Sequence, residues 1–256
     1  MAARAFLFDL EGTLYVGDAP VPGAAGVIAA LRERGVPFRL CSNTTSRSRA
    51  ILVARLARMG IDVAPHEVWT APLAAAAIAR ERGHRVVLPL LPDAAHVDLE
   101  GLAFEGDPGA VIVGDLGTRW TYLLLQLAFT HLEAGAELIA CSKDRYFRKD
   151  GGLALDAGPF VAALEYATRR EAIVAGKPSA SFFRAAAAQM ALEGVDPRDV
   201  VMVGDDLWSD VQGAQRAGFS AWAVETGKFR REDAAGAGIA PDRVLASVAD
   251  VTGLLS

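Results

Sequence analysis

The sequence predicts an α/β protein with a parallel sheet and an inserted second domain. Two observations carry this prediction. Short apolar runs alternate with segments of helical period at both ends of the 256-residue chain, which is typical of a parallel α/β sheet. A middle block with its own strand-like and helix-like segments separates the two ends. We therefore expect a core formed by residues 1–70 and 171–256, with residues 71–170 as a separate α/β domain.

The N-terminal region predicts two strands and two helices. The apolar run "AFLF" is a strand that leads into Asp9, and "VPFRLCSN" is a second strand. "GAAGVIAALRERG" places Val27, Ile28 and Leu31 at helical spacing before Gly35, a residue type that often ends helices. "SRSRAILVARLARMG" is predicted as a second helix.

The C-terminal region continues the alternation. We expect strands at "AIVAGKP", "DVVMVGDD" and "FSAWAV", and helices at "SDVQGAQRAG" and "ASVADVTGLL". Pro178 and Ser179 open a further helix, because proline is favoured in the first helical turn. In the middle block, "HRVVLPLL", "GAVIVGD" and "ELIACS" are predicted strands, and "TYLLLQLAFTHLEAG" and "GPFVAALEYAT" are predicted helices.

Composition and charge narrow the class of protein. The chain is 52% hydrophobic with a net charge of −5, so it lacks the basic surface that nucleic-acid binding requires. The basic stretch "RYFRKD" is short, and we interpret it as a solvated loop. No apolar run approaches the roughly 20 residues of a membrane span, and Asp9 interrupts the N-terminal run that a signal peptide would need. The chain has only two cysteines, Cys41 and Cys141, and they lie far apart, which is typical of a cytoplasmic protein. From charge and apolar runs together, we expect a protein that binds neither nucleic acid nor membrane.

Polar residues follow four of the predicted strands. The four segments are "FLFDLEGT", "RLCSNTT", "VAGKPS" and "MVGDDLWSD". In an open parallel sheet, ligands bind outside the carboxyl ends of the strands. We therefore expect these ends to bring eight residues toward one crevice, namely Asp9, Glu11, Ser42, Asn43, Lys177, Asp205, Asp206 and Asp210.

The charges of this set predict a divalent cation. Five carboxylates face one lysine, and two like charges 4 Å apart repel by roughly 4 kcal/mol at an effective dielectric constant near 20. Oxygen ligands without a nearby histidine favour Mg²⁺. Ser42 and Asn43 can donate hydrogen bonds to phosphate oxygens, and Lys177 adds a positive charge at the start of a helix. Such a set suits phosphoryl transfer.

Each of these motifs also has an ordinary structural explanation. An Asp after a strand often serves as a turn or helix-cap residue, and a Lys before a helix proline is usually solvated. "GDD" alone is equally typical of a loop, and Asn43 can cap the next helix. The joint occurrence of the motifs at strand ends favours the functional interpretation.

The ordered motifs resemble those of the haloacid dehalogenase superfamily of phosphotransferases. That family's first motif, a strand ending in D-x-D-G-T, corresponds to "FLFDLEGT". Its later motifs are a Ser or Thr after a strand, a Lys, and "GDD" with a further Asp, which correspond to "LCSN", "GKP" and "GDDLWSD". The similarity spans the chain. Three features resemble those of the NagD-type subclass IIA within this family. They are the segment "SNTT", the mid-chain insertion, and the segment "KDRYFRKDGGLALDAGPFVAALEYAT".

The resemblance implies a role for each residue of the set. Asp9 would be the nucleophile that forms an aspartyl-phosphate, and Glu11 would be the acid and base of catalysis. The residues that would bind the transferring phosphoryl group are Ser42, Asn43 and Lys177. The implied ligands of Mg²⁺ are Asp9, the backbone carbonyl of Glu11, Asp205, Asp206 and Asp210, the last two as ligands or as partners of ligands.

The resemblance also implies how the domains are used. The core would be Rossmann-like, and "TLYVGDAPVPG" would form a small β-hairpin flap that turns at Gly17–Asp18. The inserted α/β domain would be a cap that closes over a small phosphorylated molecule and mediates a homodimer. Charged and polar residues of this domain are candidates to contact the leaving group, and solvation at the surface is the ordinary explanation for each: Lys143, Asp144, Arg145, Tyr146 and Arg148.

Glu11 departs from the family's usual pattern. Most phosphatases of the family carry Asp there. The extra methylene of Glu moves the carboxyl group by about a bond length. A catalytic group that is misplaced by about 1 Å can lower the rate roughly a hundredfold. One branch of the family also uses D-x-E-G-T, so we expect an active enzyme. The alternatives are a phosphate-binding protein of this fold with little or no catalysis, and a signalling receiver domain, which the large insertion disfavours.

Overall fold

The protein is an α/β protein with two compact units. A computed structural model describes residues 3–149 and 152–255. The first unit comprises the chain through Ser42, Ala50–Trp69, and the chain from Lys177 onwards. The second unit comprises Asn43–Arg49 and Thr70–Gly176. The first unit is therefore discontinuous in sequence.

A six-stranded sheet forms the centre of the first unit. In spatial order its strands are β14 (Arg243–Leu245), β13 (Ser220–Val224), β12 (Val200–Gly204), β1 (Ala5–Asp9), β4 (Phe38–Ser42) and β5 (Val68–Thr70). Strand β1 pairs in parallel with both β12 and β4, and β13 pairs in parallel with β12 and β14. Chain order runs away from β1 in both directions, so the order reverses between β1 and β12. Open α/β sheets bind ligands at such a reversal.

Strand β1 owes its position to its apolar side chains. All five residues of "AFLFD" are buried, as expected for a strand inside a parallel sheet. Phe6 stacks on Phe8 with ring centroids 5.6 Å apart, and it meets the edge of Trp222 at 5.7 Å. This aromatic packing fixes the strand and therefore the position of Asp9 at its end.

Helices and a small hairpin complete the first unit. The helices are α1 (Ala24–Glu33), α2 (Arg49–Arg58), α7 (Ala180–Ala188), α8 (Gly213–Ala217) and α9 (Arg231–Ala237). A π-helical turn spans Leu207–Gln212. The 3₁₀-helical segments are Pro65–Glu67, Pro197–Asp199 and Val248–Leu254, and the last of these stands where the sequence predicts a final α-helix. Strands β2 (Tyr15–Val16) and β3 (Ala19–Pro20) form the predicted hairpin and enclose its turn at Gly17–Asp18.

The second unit has its own sheet and core. Its parallel strands, in spatial order, are β11 (Ile173–Val174), β8 (Glu137–Ala140), β7 (Ala110–Val113) and β6 (Val87–Leu90). Its helices are α3 (Ala71–Glu81), α4 (Asp93–His96), α5 (Tyr122–Glu133) and α6 (Gly158–Thr168), with 3₁₀ segments at Val97–Leu99 and Gly117–Arg119. Across both units, the described helices include none with the length and apolar character needed to cross a membrane.

Two interpretations of the sequence are wrong. "AIVAGKP" is predicted as a strand of the larger sheet, but Ile173 and Val174 pair with β8 in the sheet of the second unit. An apolar pattern identifies a strand without identifying the sheet that accepts it. "RYFRKD" is predicted as a solvated loop, but Tyr146–Lys149 forms strand β9, which pairs antiparallel with β10 (Gly152–Leu155). Asp150, the last residue of that stretch, lies outside the described residues.

Candidate active site

A buried lysine joins two carboxylates at the end of β1. The Lys177 Nζ lies 2.5 Å from Oδ1 of Asp9 and 2.7 Å from Oδ1 of Asp210. Lys177 and Asp9 are 4% and 8% exposed, and Asp210 is fully buried. Hydrogen bonds between charged groups are about twice as strong as neutral ones, so they offset the cost of burying the ammonium. The ammonium in turn fixes the orientation of both carboxylates.

Asp205 brings a third carboxylate to the same place. It follows β12 directly and is 2% exposed. Because β12 lies beside β1 in parallel, with Val203 opposite Phe8, the carboxyl ends of the two strands meet. Oxygen atoms of Asp9, Asp205 and Asp210 lie within 4.8 Å of one another. Within residues 3–149 and 152–255, this is the one cluster of His, Cys, Asp or Glu side chains with the spacing of a metal site.

Burial raises the pKa of all three acids. Loss of contact with water raises the pKa of Asp205 to about 6 and that of Asp210 to about 7. Burial also raises the pKa of Asp9, although the Lys177 ammonium opposes this change. Burial alone would lower the pKa of Lys177, but the charges of Asp210 and Asp9 outweigh it and raise that pKa well above its usual value. The lysine therefore stays charged, while Asp205 and Asp210 retain protons to unusually high pH.

Asp206 supports its neighbour Asp210. Its Oδ1 accepts hydrogen bonds from the backbone N–H groups of Trp208 at 3.1 Å and Ser209 at 2.9 Å, which caps the π-helical turn. Its own backbone N–H donates to Oδ2 of Asp210 at 3.1 Å. Burial raises the pKa of Asp206, but these hydrogen bonds and the charge of Lys228 outweigh it and lower the pKa. Its part in metal binding stays a prediction.

A loop after β13 packs against Asp205. The backbone N–H of Lys228 donates to Oδ2 of Asp205 at 2.6 Å, and the Thr226 hydroxyl donates to the Gly12 carbonyl at 2.5 Å. A Cβ atom added to Gly227 would lie 1.9 Å from Asp205 Oδ2, and one added to Gly12 would lie 2.2 Å from it. Gly12 also has a φ of +82°, which side chains disfavour. Only glycine fits at these two positions beside the carboxylate.

The loop contributes a second cation that sequence analysis missed. The Lys228 Nζ lies 3.3 Å from Oδ2 of Asp206. The sequence carries a signal for it, because "TGK" follows the strand "FSAWAV", whose carboxyl end lies at the same edge of the sheet. The four aspartates at this edge therefore face two ammonium groups. The excess among these six side chains is two negative charges, which one divalent cation would balance. The set derived from the sequence has five carboxylates, because it includes Glu11, and one lysine, so its excess is four.

Glu11 is held by the hairpin. Its Oε1 accepts a hydrogen bond from the Gly17 N–H at 2.8 Å, and the residue is exposed. Arg55 donates to the Gly17 carbonyl at 2.5 Å and to Asp18 at 3.1 Å, and its guanidinium lies 4.4 Å above the Tyr15 ring. Arg55 therefore anchors the turn, and the turn anchors the Glu11 carboxyl group.

Ser42 and Asn43 fall on opposite sides of a unit boundary. Ser42 ends β4, is 7% exposed, and follows Cys41, which lies opposite Asp9 in the sheet. Asn43 belongs to the second unit, where its Nδ2 donates to Oδ2 of Asp144 at 3.3 Å. The register places Ser42 close to Asp9, and phosphate binding by either residue stays a prediction.

The leaving-group candidates lie in the second unit. Lys143 forms an ion pair with Glu165 at 2.8 Å. Asp144 accepts a hydrogen bond from Ser142 at 2.7 Å. The exposed residues of the set are Lys143, Arg145 and Tyr146, and the side chain of Arg148 lies outside what the structure describes.

Comparison with known proteins identifies the family. Residues 6–105 match a family model described as haloacid dehalogenase-like hydrolase, and residues 174–251 match one described as HAD-hydrolase-like. Haloacid dehalogenase-like hydrolase domain-containing protein 2 of Bos taurus is 42% identical over 232 residues, which cover 91% of this chain and 88% of the relative. Phospholysine phosphohistidine inorganic pyrophosphate phosphatase of Bos taurus is 36% identical over 98% of this chain and 94% of its own. The chain belongs to the haloacid dehalogenase-like hydrolases.

Solved structures share the fold over nearly the whole chain. NagD from E. coli K-12 aligns with a TM-score of 0.88 at 26% identity and covers 98% of each chain. A glycerol phosphate phosphatase from Mycobacterium tuberculosis, solved in complex with magnesium, aligns with a TM-score of 0.85 at 28% identity and covers 99% of this chain and 78% of its own. The predicted NagD-type α/β fold is confirmed. The family and the relatives named as phosphatases support a phosphoric ester hydrolase.

The close approach of Gly227 to Asp205 can be tested by adding one methyl group. Because a Cβ would lie 1.9 Å from the carboxylate, we expect Gly227→Ala to destabilise the protein by about 1–3 kcal/mol in urea unfolding. Gly236, in α9, has open space around its Cα, so Gly236→Ala should stabilise by about 0.5–1 kcal/mol. A Gly227→Ala protein as stable as wild type would show that the loop does not hold Asp205.

Proposed function

We propose that the protein is a Mg²⁺-dependent phosphatase that hydrolyses a small phosphorylated metabolite through an aspartyl-phosphate on Asp9. The main observation that supports this proposal is the buried contact of Asp9 with Lys177 inside a cluster of three carboxylates. A carboxylate oriented by a fixed ammonium, at the edge of the sheet where ligands bind, has the placement of a nucleophile. Membership of the haloacid dehalogenase-like hydrolases supports the assignment.

The donor set fits Mg²⁺. Three buried carboxylates with oxygens within 4.8 Å offer hard ligands, and the excess of two negative charges matches the charge of one such ion. Asp9, Asp205 and the backbone carbonyl of Glu11 would hold the ion, with Asp206 and Asp210 as further ligands or supports. Bound there, Mg²⁺ would neutralise charge on the phosphate oxygens. The magnesium complex of the related glycerol phosphate phosphatase supports this choice of metal.

Asp9 would carry the covalent step. Its carboxylate oxygen bonds to phosphorus while the bond from phosphorus to the leaving oxygen breaks, and the leaving oxygen takes a proton. A water then attacks phosphorus, which releases phosphate and restores the carboxylate. Lys177 favours the ionised form of Asp9 and holds its orientation. Ser42 and Asn43 would donate hydrogen bonds to the phosphoryl oxygens.

Glu11 would be the acid in the first step and the base in the second. Its carboxyl group accepts a hydrogen bond from the hairpin turn, so the hairpin sets how far it reaches. The same hydrogen bond favours a second candidate function, a phosphate-binding protein with little catalysis, because it ties Oε1 to the turn, so that Oε2 must carry the proton and its reach is limited by the turn. Rates of Glu11 variants distinguish the two functions.

We also propose that the inserted block, residues 71–170, is a cap that selects the leaving group. Its separate sheet and hydrophobic core, and its place between the two parts of the first unit in the sequence, support this role. A small phosphorylated molecule would be the ligand. A homodimer through this block and a cytoplasmic location remain predictions of the sequence.

Replacing the nucleophile gives the first test. Asp9→Asn keeps the size of the side chain but removes the attacking charge, so kcat/KM toward 4-nitrophenyl phosphate and a panel of metabolite monoesters with Mg²⁺ should fall on the order of 10⁴-fold or more. Asp233→Asn changes an exposed acid of α9 in the same unit and should leave the rate unchanged. An Asp9→Asn enzyme within about tenfold of wild type would exclude Asp9 as nucleophile.

The role of Glu11 is tested against a second acid of the same hairpin. Glu11→Ala should lower kcat by about 10²- to 10⁴-fold if Glu11 transfers the proton. Asp18→Ala removes a fully solvated carboxylate but leaves the Arg55 hydrogen bond to the Gly17 carbonyl in place, so it should change kcat little. Equal rates for wild type and Glu11→Ala would remove Glu11 from the mechanism. A slow wild type that gains turnover as Glu11→Asp would establish the phosphate-binding alternative.

The raised pKa values of Asp205 and Asp210 predict how pH affects metal binding. Their folded-state pKa values, about 6 and about 7, exceed those of an unfolded chain, so their contribution to the stability of the metal-free protein is lost as pH rises through these values. Mg²⁺ needs the ionised acids, so its affinity should rise roughly ten- to a hundredfold from about pH 5.5 to about pH 8.

The readout is the increase in Tm that Mg²⁺ produces at each pH. We expect a larger increase at about pH 8, and a reduced but still present difference between the two pH values for Asp205→Asn, because Asp210, with a pKa of about 7, still titrates. An equal increase at both pH values in the wild type would contradict metal binding by this cluster.

A further inference from the structure

Lys228 touches the acidic cluster in two separable ways. Its backbone N–H donates to Oδ2 of Asp205 at 2.6 Å, a contact that any non-proline residue would make. Its ammonium lies 3.3 Å from Asp206, and the side chain is 74% exposed, whereas the Lys177 side chain is 4% exposed. The backbone contact holds the carboxylate. The side chain therefore needs a different explanation.

A structural role does not explain the ammonium. An ion pair at this distance in which the ammonium is largely solvated contributes little to stability. The neighbouring Arg231, which pairs with Glu225 at 2.7 Å and is 64% exposed, is an ion pair of that ordinary kind. Lys228 differs because its charge acts on acids of the site. Burial lowers its pKa, but the charges of Asp206, Asp205 and Asp9 outweigh burial and raise it.

The balance of charge indicates what the ammonium does. In the Mg²⁺-bound site, where the aspartates are ionised, four aspartates and two lysines leave an excess of two negative charges, and one Mg²⁺ balances the charge of these side chains. Without the Lys228 charge, the metal-loaded site would keep one negative charge and repel a phosphate dianion. A cation at this place favours an anionic ligand and opposes the binding of another cation.

We propose that Lys228 is a specificity-determining residue that sets the charge of the loaded site, so that the site accepts a phosphoryl anion at the expense of metal affinity. The ammonium acts through the field of the site, while its backbone N–H holds Asp205. This inference rests on the proposed function, because it takes phosphate and Mg²⁺ as the two ligands. The proposal predicts that loss of the Lys228 ammonium weakens phosphate binding and strengthens Mg²⁺ binding. Loss of a residue with only a structural role would not change the two affinities in opposite directions.

The test compares Lys228→Met, Lys228→Arg and Arg231→Met by calorimetry. Mg²⁺ alone is titrated into each protein, and inorganic phosphate is titrated in saturating Mg²⁺. For Lys228→Met we expect the Kd for phosphate to rise by about three- to tenfold while the Kd for Mg²⁺ falls. Lys228→Arg keeps the charge and should stay within about twofold of wild type. Arg231→Met removes the same charge from a nearby pair and should change neither affinity.

Several results would overturn the proposal. They are an unchanged phosphate affinity in Lys228→Met, a joint loss of both affinities, and an equal effect in Arg231→Met. Hydrolysis of 4-nitrophenyl phosphate is measured separately. A wild type that binds Mg²⁺ and phosphate with the expected Lys228 pattern but hydrolyses no ester would leave this inference standing and reject the proposed function. A wild type that binds neither ligand would overturn both.

Discussion

The ammonium of Lys177, buried between Asp9 and Asp210, is the interaction on which the rest of the site depends. Neither carboxylate could be buried at the end of the sheet without a cation, and removing one partner of a buried ion pair costs about 3–5 kcal/mol because the other charge is left unpaired. The lysine follows the inserted block in the chain, while the two acids follow strands of the first unit. The site therefore forms only when distant parts of the sequence are folded together.

Around this ion pair, the backbone contributes as much as the side chains to the geometry of the site. The reversal of strand order between β1 and β12 brings Asp9 and Asp205 together. Gly12 and Gly227 leave the space that the Asp205 carboxylate occupies, and the Lys228 N–H fixes one of its oxygens. The resulting cluster is buried and short of positive charge, which raises the pKa values of its acids and suits it to a divalent cation.

Much of this site follows from the sequence because parallel strands end at a common edge. Asp9 and Asp205 are identified on that basis, since apolar runs mark their strands clearly. Lys177 is identified although its preceding strand joins the other sheet, because an apolar pattern does not specify which sheet receives a strand. Lys228 is missed because it lies four residues beyond the end of β13, in a loop whose approach to Asp205 does not follow from its residue types. The hydrogen bond from Gly17 to Glu11 depends on hairpin geometry, which residue type does not fix.

Phosphorylation of Asp9 is the event on which the proposed function depends. Its most direct measurement is rapid acid quenching of the enzyme during turnover of 4-nitrophenyl phosphate with Mg²⁺, followed by mass spectrometry of the peptides. We expect phosphate on the peptide that contains Asp9 in the wild type, and none on that peptide in Asp9→Asn. Turnover by a wild-type enzyme whose Asp9 peptide never carries phosphate would contradict the aspartyl-phosphate mechanism.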